Sequence, residues 1–573
     1  MFKLLAYMKN YKKEAVLGPL FKLLEALLEL LVPLVIAAVI DTGIAGGNRG
    51  YVIRMCLLLV GLGIVGLVFS ITAQYFAAKA SVGFVTKLRH ALFDHIQGLS
   101  YTELDTIGTS TLITRMTSDM NQVQSGMNLT LRLLLRSPFV VFGAMIMAFT
   151  IDVKAALIFA AAIPVLSLVV FGIMLWCIPL YKRVQRKLDG VLSATRENLT
   201  GVRVIRAFCK EEEQICRFDD CNQDLTRTQK YVGRISALMN PVTYILINLA
   251  IIWLVYTGAL RVDVGLISQG AVVALYNYMS QILVELIKLA NLIINITKSV
   301  ACGNRIQSVF EIHSSLDAPE QAPAPKDFSY AVEFDHVTLR YANAGDDSLS
   351  DISFAARPGE TIGVIGSTGS GKSSLVNLIP RFYDASAGQV LVDGIHVKEY
   401  PLDDLRNRIG VVPQKAVLFK GTIRDNLRWG NPDATDAQLL EAVQTAQAGE
   451  VLAQKGGLDF ELEQGGKNLS GGQKQRFTIA RALVKHPKIL ILDDSASALD
   501  FATDAALRKA IREMPGNPTV FIVSQRPSSL QHADQILVLE DGAVVGAGTH
   551  TQLLESCPVY QEIYQSQFRK EDA

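Results

Sequence analysis

The sequence predicts a two-part chain: a polytopic α-helical membrane domain of six long transmembrane helices, followed by an α/β domain built round a phosphate-binding loop. Three observations carry that reading. Hydrophobic residues fill 50% of the 573 positions and charged residues only 19%, and mean hydropathy is +0.28. Charge is divided along the chain, with 30 Lys+Arg against 20 Asp+Glu in residues 1–316 and 25 against 34 in 317–573. The second half also carries Gly366-Ser-Thr-Gly-Ser-Gly-Lys372-Ser373 directly after an apolar run. A formal net charge of +1 excludes a generally basic nucleic-acid binder. The apolar content excludes a disordered chain, and seven scattered cysteines exclude a disulfide scaffold.

Four stretches, Cys56–Ala78, Ala155–Tyr181, Ile235–Leu260 and Val264–Val284, contain no charged residue. Each is long enough to cross a hydrocarbon layer about 30 Å thick. Two further spans, about Leu20–Ile40 and Leu131–Ile151, carry Lys22, Glu25 and Glu29 or begin with Arg132 and Arg136. The outer loops are read as Asp41–Arg54, Ile151–Lys154 and Arg261–Asp263, which hold only Arg49, Arg54, Lys154 and Arg261. Most other basic residues fall in the N-terminus, Lys79–Arg136 and Lys182–Arg234. That bias places both termini on the cytoplasmic side of a multi-pass protein. The N-terminus shows no removable signal, and the cysteines are expected reduced. The two inner connections, about 50 residues each, read as amphipathic helix that prolongs the spans.

Lys22, Glu25 and Glu29 share a helix face. Charge at membrane depth marks a cavity or a partner, so Glu25 and Glu29 are candidate cavity residues, with pairing to Arg132 or Arg136 as the alternative. If Glu29 lines the cavity, cationic amphipathic cargo follows. Cys209, Cys216 and Cys221 lack ligand spacing and are ordinary thiols.

Domain boundaries are expected at 1–312 for the membrane domain, 313–328 for a Pro/Ala-rich linker and 329–573 for the α/β domain. In the latter, Thr361–Ile365 reads as a strand that feeds the loop Gly366, Ser367, Thr368, Gly369, Ser370, Gly371, Lys372, Ser373, Ser374, and a helix follows. Glycines let successive N–H groups converge on phosphate oxygens, and the helix N-terminus adds positive potential. Lys372 would reach the β- and γ-phosphates and Ser373 would ligate Mg2+. The apolar run Ile489–Leu492 ends in Asp493-Asp494, where Asp493 would hold Mg2+ through water.

Leu469-Ser470-Gly471-Gly472-Gln473, between the loop and that strand, resembles the signature motif of ABC transporters. Along nearly the whole chain the resemblance continues. Tyr341 matches the aromatic that stacks on adenine, Gln414 matches the glutamine that helps hold the metal, and Ser497-Ala498-Leu499-Asp500 matches the D-loop. Leu99–Gln124 and Glu197–Phe218 are similar to the two inner loops of exporter-type half-transporters. The resemblance implies an α/β P-loop ABC ATPase domain, ATP and Mg2+ as cofactors, and a dimer in the lipid bilayer. In that dimer each ATP meets the phosphate loop of one chain and the signature of the other.

Two positions depart from the family. Active members carry Glu after the strand-end Asp as general base, and here Asp494 stands there, its carboxylate about 1.5 Å further back. The switch position, His in the family, is Gln525, which cannot carry imidazolium charge. The pattern resembles the degenerate-site subunit of bacterial heterodimeric multidrug exporters. It implies a second half-transporter chain as partner, weak hydrolysis at this chain's own site, amphipathic small-molecule, peptide or lipid cargo, and a bacterial plasma membrane. An importer on the same fold, a homodimeric exporter and an ATP-gated regulatory subunit are the competing readings.

Overall fold

The computed structural model describes residues 2–319, 321, 328–342 and 344–568, and part of the expected linker, 320 and 322–327, lies outside them. The chain divides into two compact units, residues 1–97 with 110–312, and residues 98–109 with 313–573. The first unit holds six helices long and apolar enough to cross a membrane: Lys3–Ile44, Arg49–Gln97, Thr109–Ile151, Val153–Thr200, Glu211–Asp263 and Gln269–Phe310. This is a multi-pass membrane architecture. At 1.5 Å per residue the 49-residue second helix is about 70 Å long, more than twice a bilayer core, so the spans continue well beyond the lipid.

The packing follows membrane rules, with small residues where helices meet. Ala26, Ala144, Ala148, Ala155, Ala156 and Ala274 are fully buried in one cluster with Leu30, Phe159, Leu254 and Tyr278. A Cβ on Gly126 would lie 1.8 Å from the Ser299 hydroxyl, so only glycine lets the third span approach the sixth there. Conversely, the most apolar window of the second span has no buried residue; Leu57, Ile64, Leu67 and Ile71 point outward, as a lipid-facing surface requires.

Hairpin ends are tight. Only Asp152 separates the third and fourth spans; its side chain accepts from the Ala155 N–H at 2.8 Å and pairs with Arg261. The sixth helix starts at Gln269, five residues after the expected Val264. Gly265 takes a left-handed φ of 73° and Ser268 caps the helix at the Ala271 N–H, so the charge-free run between them is turn. Asp41, at the end of the first span, accepts from the Gly270 N–H at 2.8 Å.

The second unit contains a four-stranded antiparallel sheet and a six-stranded, mainly parallel one. The six-stranded sheet runs, edge to edge, Ala543–Gly548, Gln535–Glu540, Thr361–Gly366, Thr519–Val523, Ile489–Asp493 and Ile409–Val412. Thr361–Gly366, Thr519–Val523 and Ile489–Asp493 are buried along their whole length, as parallel strands covered on both faces must be. Helix Tyr101–Ile107, expected within the membrane domain, belongs to this unit. Its Tyr101 ring lies 4.8 Å from Phe382, and the Tyr383 hydroxyl donates to Asp105 at 2.6 Å.

Candidate nucleotide-binding site

The strand order builds the site. Thr361–Gly366, Thr519–Val523 and Ile489–Asp493 are neighbours, with Val523 in register beside both Val364 and Asp493. Their carboxyl ends therefore bring together the phosphate loop, Ser524-Gln525 and Asp493-Asp494, at the edge where open α/β sheets bind ligands. A cavity of about 680 Å³ opens there, lined by Thr368, Gly369, Gly371, Lys372, Ser373, Ser374, Gln414, Asp493, Asp494 and Gln525 among others.

Local chemistry sets each group. Gly371 has φ 95°, and a Cβ there would sit 2.7 Å from the Ser348 carbonyl oxygen, so glycine is required immediately before the loop helix Lys372–Leu378. The Lys372 ammonium donates to the carbonyl oxygens of Gly366 at 3.0 Å and Ser367 at 2.5 Å. Burial lowers its pKa, while Asp494 and Asp493 pull in the opposite direction. Ser373 Oγ donates to Asp493 Oδ1 at 3.0 Å. Burial raises the Asp493 pKa, opposed by that hydrogen bond and reinforced by the neighbouring Asp494 charge. A hydroxyl beside a carboxylate, an ammonium held by carbonyls and a hydroxyl, and a glycine-lined loop fit a triphosphate with Mg2+.

Asp494 adopts φ 45°, and its N–H is fastened to the Val523 carbonyl at 3.0 Å. Gln414 Nε2 donates to Asp494 Oδ2 at 3.3 Å, so the two residues expected near the γ-phosphate are brought together. Gln525 lines the same cavity, and its carbonyl accepts from Gln567 Nε2 at 2.8 Å on the C-terminal helix Pro558–Phe568. Tyr341 lines a second cavity, of about 520 Å³, and its hydroxyl donates to Ser374 at 2.9 Å.

The signature is built separately. Ser470 caps helix Gly471–Leu483 in a capping box: Gln473 Oε1 accepts from the Ser470 N–H at 3.0 Å, and Ser470 Oγ accepts from the Gln473 N–H at 3.3 Å. A Cβ on Gly472 would lie 2.8 Å from the Ala498 carbonyl oxygen, which sets the signature against the D-loop. Within the D-loop, Ser497 Oγ donates to the Asp494 carbonyl at 2.8 Å, and Asp500 caps helix Phe501–Arg512 through the Thr503 N–H at 2.7 Å. Among the described residues, none of Leu469–Gln473 lines the cavity of their own chain's phosphate loop.

Sequence reasoning missed Asp346, Asp347 and Asp541, which rim that cavity, and Gln567. The adjacent acids in the run Gly345-Asp346-Asp347-Ser348 were a visible sign; the Gln567 contact spans 42 residues and left none. In the membrane unit, Glu25 pairs with Lys22 at 2.5 Å, and Glu29 pairs with Arg136 at 2.6 Å while also lining a cavity.

Comparison with known proteins agrees with this geometry. Residues 16–286 match the ABC transporter transmembrane region and residues 349–497 match the ABC transporter domain, so the chain belongs to the ABC transporter family. It is a half-transporter with the exporter-type fold, one membrane unit followed by one ATPase unit. An uncharacterized ABC transporter ATP-binding protein of Mycobacterium tuberculosis is 37% identical over 98% of this chain and 97% of its own. YfiB of Bacillus subtilis, also uncharacterized, is 36% identical over 100% and 99%. A putative multidrug export ATP-binding/permease protein of Bacillus subtilis, YgaD, is 30% identical over 98% of each chain. A solved bacterial Atm1-family ABC exporter with ATP bound has the same fold, with TM-score 0.79 and 23% identity over 97% of this chain and 98% of that one.

Proposed function

We propose that the protein is one subunit of an ATP-driven exporter that moves hydrophobic or amphipathic compounds across a bacterial plasma membrane, with both termini cytoplasmic. Its own site binds ATP and hydrolyses it poorly, and its signature completes the competent site of a different half-transporter. One observation carries this reading: an intact, well-capped signature sits in the same chain as a catalytic centre holding Asp494 and Gln525.

In the composite site Lys372 would engage the β- and γ-phosphates, Tyr341 the adenine, and Ser373, Gln414 and, through water, Asp493 the Mg2+. The metal supplies charge neutralisation on the phosphates. Asp494 is then the group nearest in role to a general base. Its short side chain and its Gln414 hydrogen bond hold the carboxylate back from the attacking water, where small misplacements cost large factors in rate. Export rather than import is supported by the likeness to YgaD.

Native mass spectrometry of the complex extracted through a tag on this chain is the deciding experiment. A second chain of similar mass, with Glu and His at the positions of Asp494 and Gln525, is expected. Asp494→Ala should then leave ATP turnover by the pair nearly unchanged. A homodimer near twice 62.6 kDa, or turnover abolished by Asp494→Ala, overturns the asymmetric reading.

A further inference from the structure

Four charges in the membrane unit form an alternating chain. Glu29 on the first span meets Arg136 Nη2 at 2.6 Å, Arg136 Nη1 meets Glu285 Oε1 at 2.6 Å, and Lys288 Nζ meets the same Oε1 at 2.8 Å. Ser137 Oγ adds a hydrogen bond to Glu285 Oε2 at 2.8 Å. The inner pair is sealed, with side-chain exposure of 8% for Arg136 and 4% for Glu285. The terminal charges are open, 41% for Glu29 and 43% for Lys288. Both ends line one cavity of about 260 Å³, together with the edge of Glu285, with Asn277, Ser280 and Gln281 of the sixth span and with the apolar Val140 and Val284. The Gln281 side-chain oxygen is buried and without a hydrogen-bond partner, so this wall holds an acceptor that no protein group satisfies.

A network made only to neutralise itself would bury its ends as well as its middle. Here the middle is almost closed, Glu285 reaching the chamber only by an edge, while one open carboxylate and one open ammonium are presented to the same small polar space. Each is held in place from behind by an opposite charge, which fixes its position and weakens its pull on any single charge. A lipophilic cation finds a partner only at the Glu29 end, where Arg136 opposes it, and nothing at the Lys288 end. A molecule carrying both an ammonium and an anionic oxygen group gains at both ends. Its N–H donors face Glu29, and its anionic oxygens face Lys288. The volume suits one such head group, with an apolar remainder against Val140 and Val284.

The geometry points to a binding site for the zwitterionic head of an amphipathic molecule, spanning Glu29 and Lys288. This deepens the export reading by naming its substrate class. Two sources carry the chemistry, short peptides with free termini and ethanolamine-type phospholipids.

The test uses the full chain, with any co-purifying partner, in nanodiscs without nucleotide, so it does not depend on hydrolysis. Probes are the radiolabelled tripeptide Leu-Gly-Phe, its N-acetyl and C-amide forms, and lysophosphatidylethanolamine. Saturable binding of the free tripeptide is expected, weakened about tenfold by blocking either terminus. Glu29→Gln should abolish discrimination against the N-acetyl form only, and Lys288→Gln against the C-amide form only, a split that general misfolding does not produce. Binding of the lysolipid with none of the peptide assigns the site to lipid head groups and supports the same chemistry. Blocked and free tripeptides binding alike, or neither probe class binding to the wild-type chain, overturns the proposal. ATP-driven transport of other compounds in vesicles would in that case leave export standing.

Discussion

Two buried sets of charges in this chain are built on opposite plans. In the membrane unit, Arg136 lies between Glu29 and Glu285, and Glu285 also meets Lys288, so the inner charges are consumed by one another. In the nucleotide unit, Lys372 is buried as well, yet its ammonium is held by the Gly366 and Ser367 carbonyls instead of a carboxylate. Asp493 is buried and accepts from a hydroxyl, with the Lys372 charge acting on it only at longer range. The first set resembles a completed circuit and the second a socket. A buried charge left without an opposite partner is costly, and the chain accepts that cost where a charged ligand supplies the partner.

The comparison can be broken by removing one cation from each set. Arg136→Met leaves two membrane carboxylates without their shared partner and should cost about 3–5 kcal/mol of stability. Thermal inactivation of the full chain in nanodiscs would show it, with nucleotide affinity unchanged in the surviving fraction. Lys372→Ala should do the reverse, weakening MgATP binding about 10- to 100-fold, the equivalent of roughly 1.5–3 kcal/mol, and leaving the thermal midpoint close to wild type. If Lys372→Ala destabilises as much as Arg136→Met, the distinction fails.

A pH titration sharpens it. Because burial raises the Asp493 pKa, its protonated form persists at higher pH than an ordinary aspartate's. Mg2+-dependent ATP affinity should therefore begin to fall on acidification above the usual carboxylate range, and Asp493→Asn should flatten that dependence. Stability moves the other way, because a raised folded pKa favours the folded state as pH drops through it. The smallest expected effect lies at an exposed pair. Asp351 accepts a hydrogen bond from His336 and raises its pKa. Any stabilisation is present below the usual histidine pKa and fades as pH rises through the raised one. Asp351→Asn should return His336 to ordinary behaviour, read by imidazole hydrogen exchange.

What the sequence made legible follows the range of each interaction. The phosphate loop, Asp493 and the signature are contiguous runs whose chemistry depends on local spacing, and six apolar stretches announce six spans. The membrane circuit joins Glu29 to Arg136 across 107 positions and Arg136 to Glu285 across 149. The sequence could name Arg136 as a candidate partner for Glu29, but it gave no sign of Glu285 closing the other side. Residues 101–107 are expected in an inner connection of the 1–312 membrane domain because they lie between two spans in the chain. The capping box of helix Tyr101–Ile107 and its Phe382 and Tyr383 contacts belong instead to the nucleotide unit. The sixth span began later than its charge-free run because Gly265 and Ser268 read as membrane residues by hydropathy and act as a turn.

The Asp152 connection has a practical side. With a single residue between two helices, and that residue committed to a cap and an ion pair, residues 109–200 have no slack. The membrane-insertion machinery must seat them as one hairpin, and an epitope or protease site introduced there would unseat both spans at once. The exposed Ala45–Gly47 turn between the first two spans, just ahead of the Asn48 cap on the Tyr51 N–H, has no polar side chain to commit, which makes it the position for a reporter that maps which side of the membrane each loop occupies.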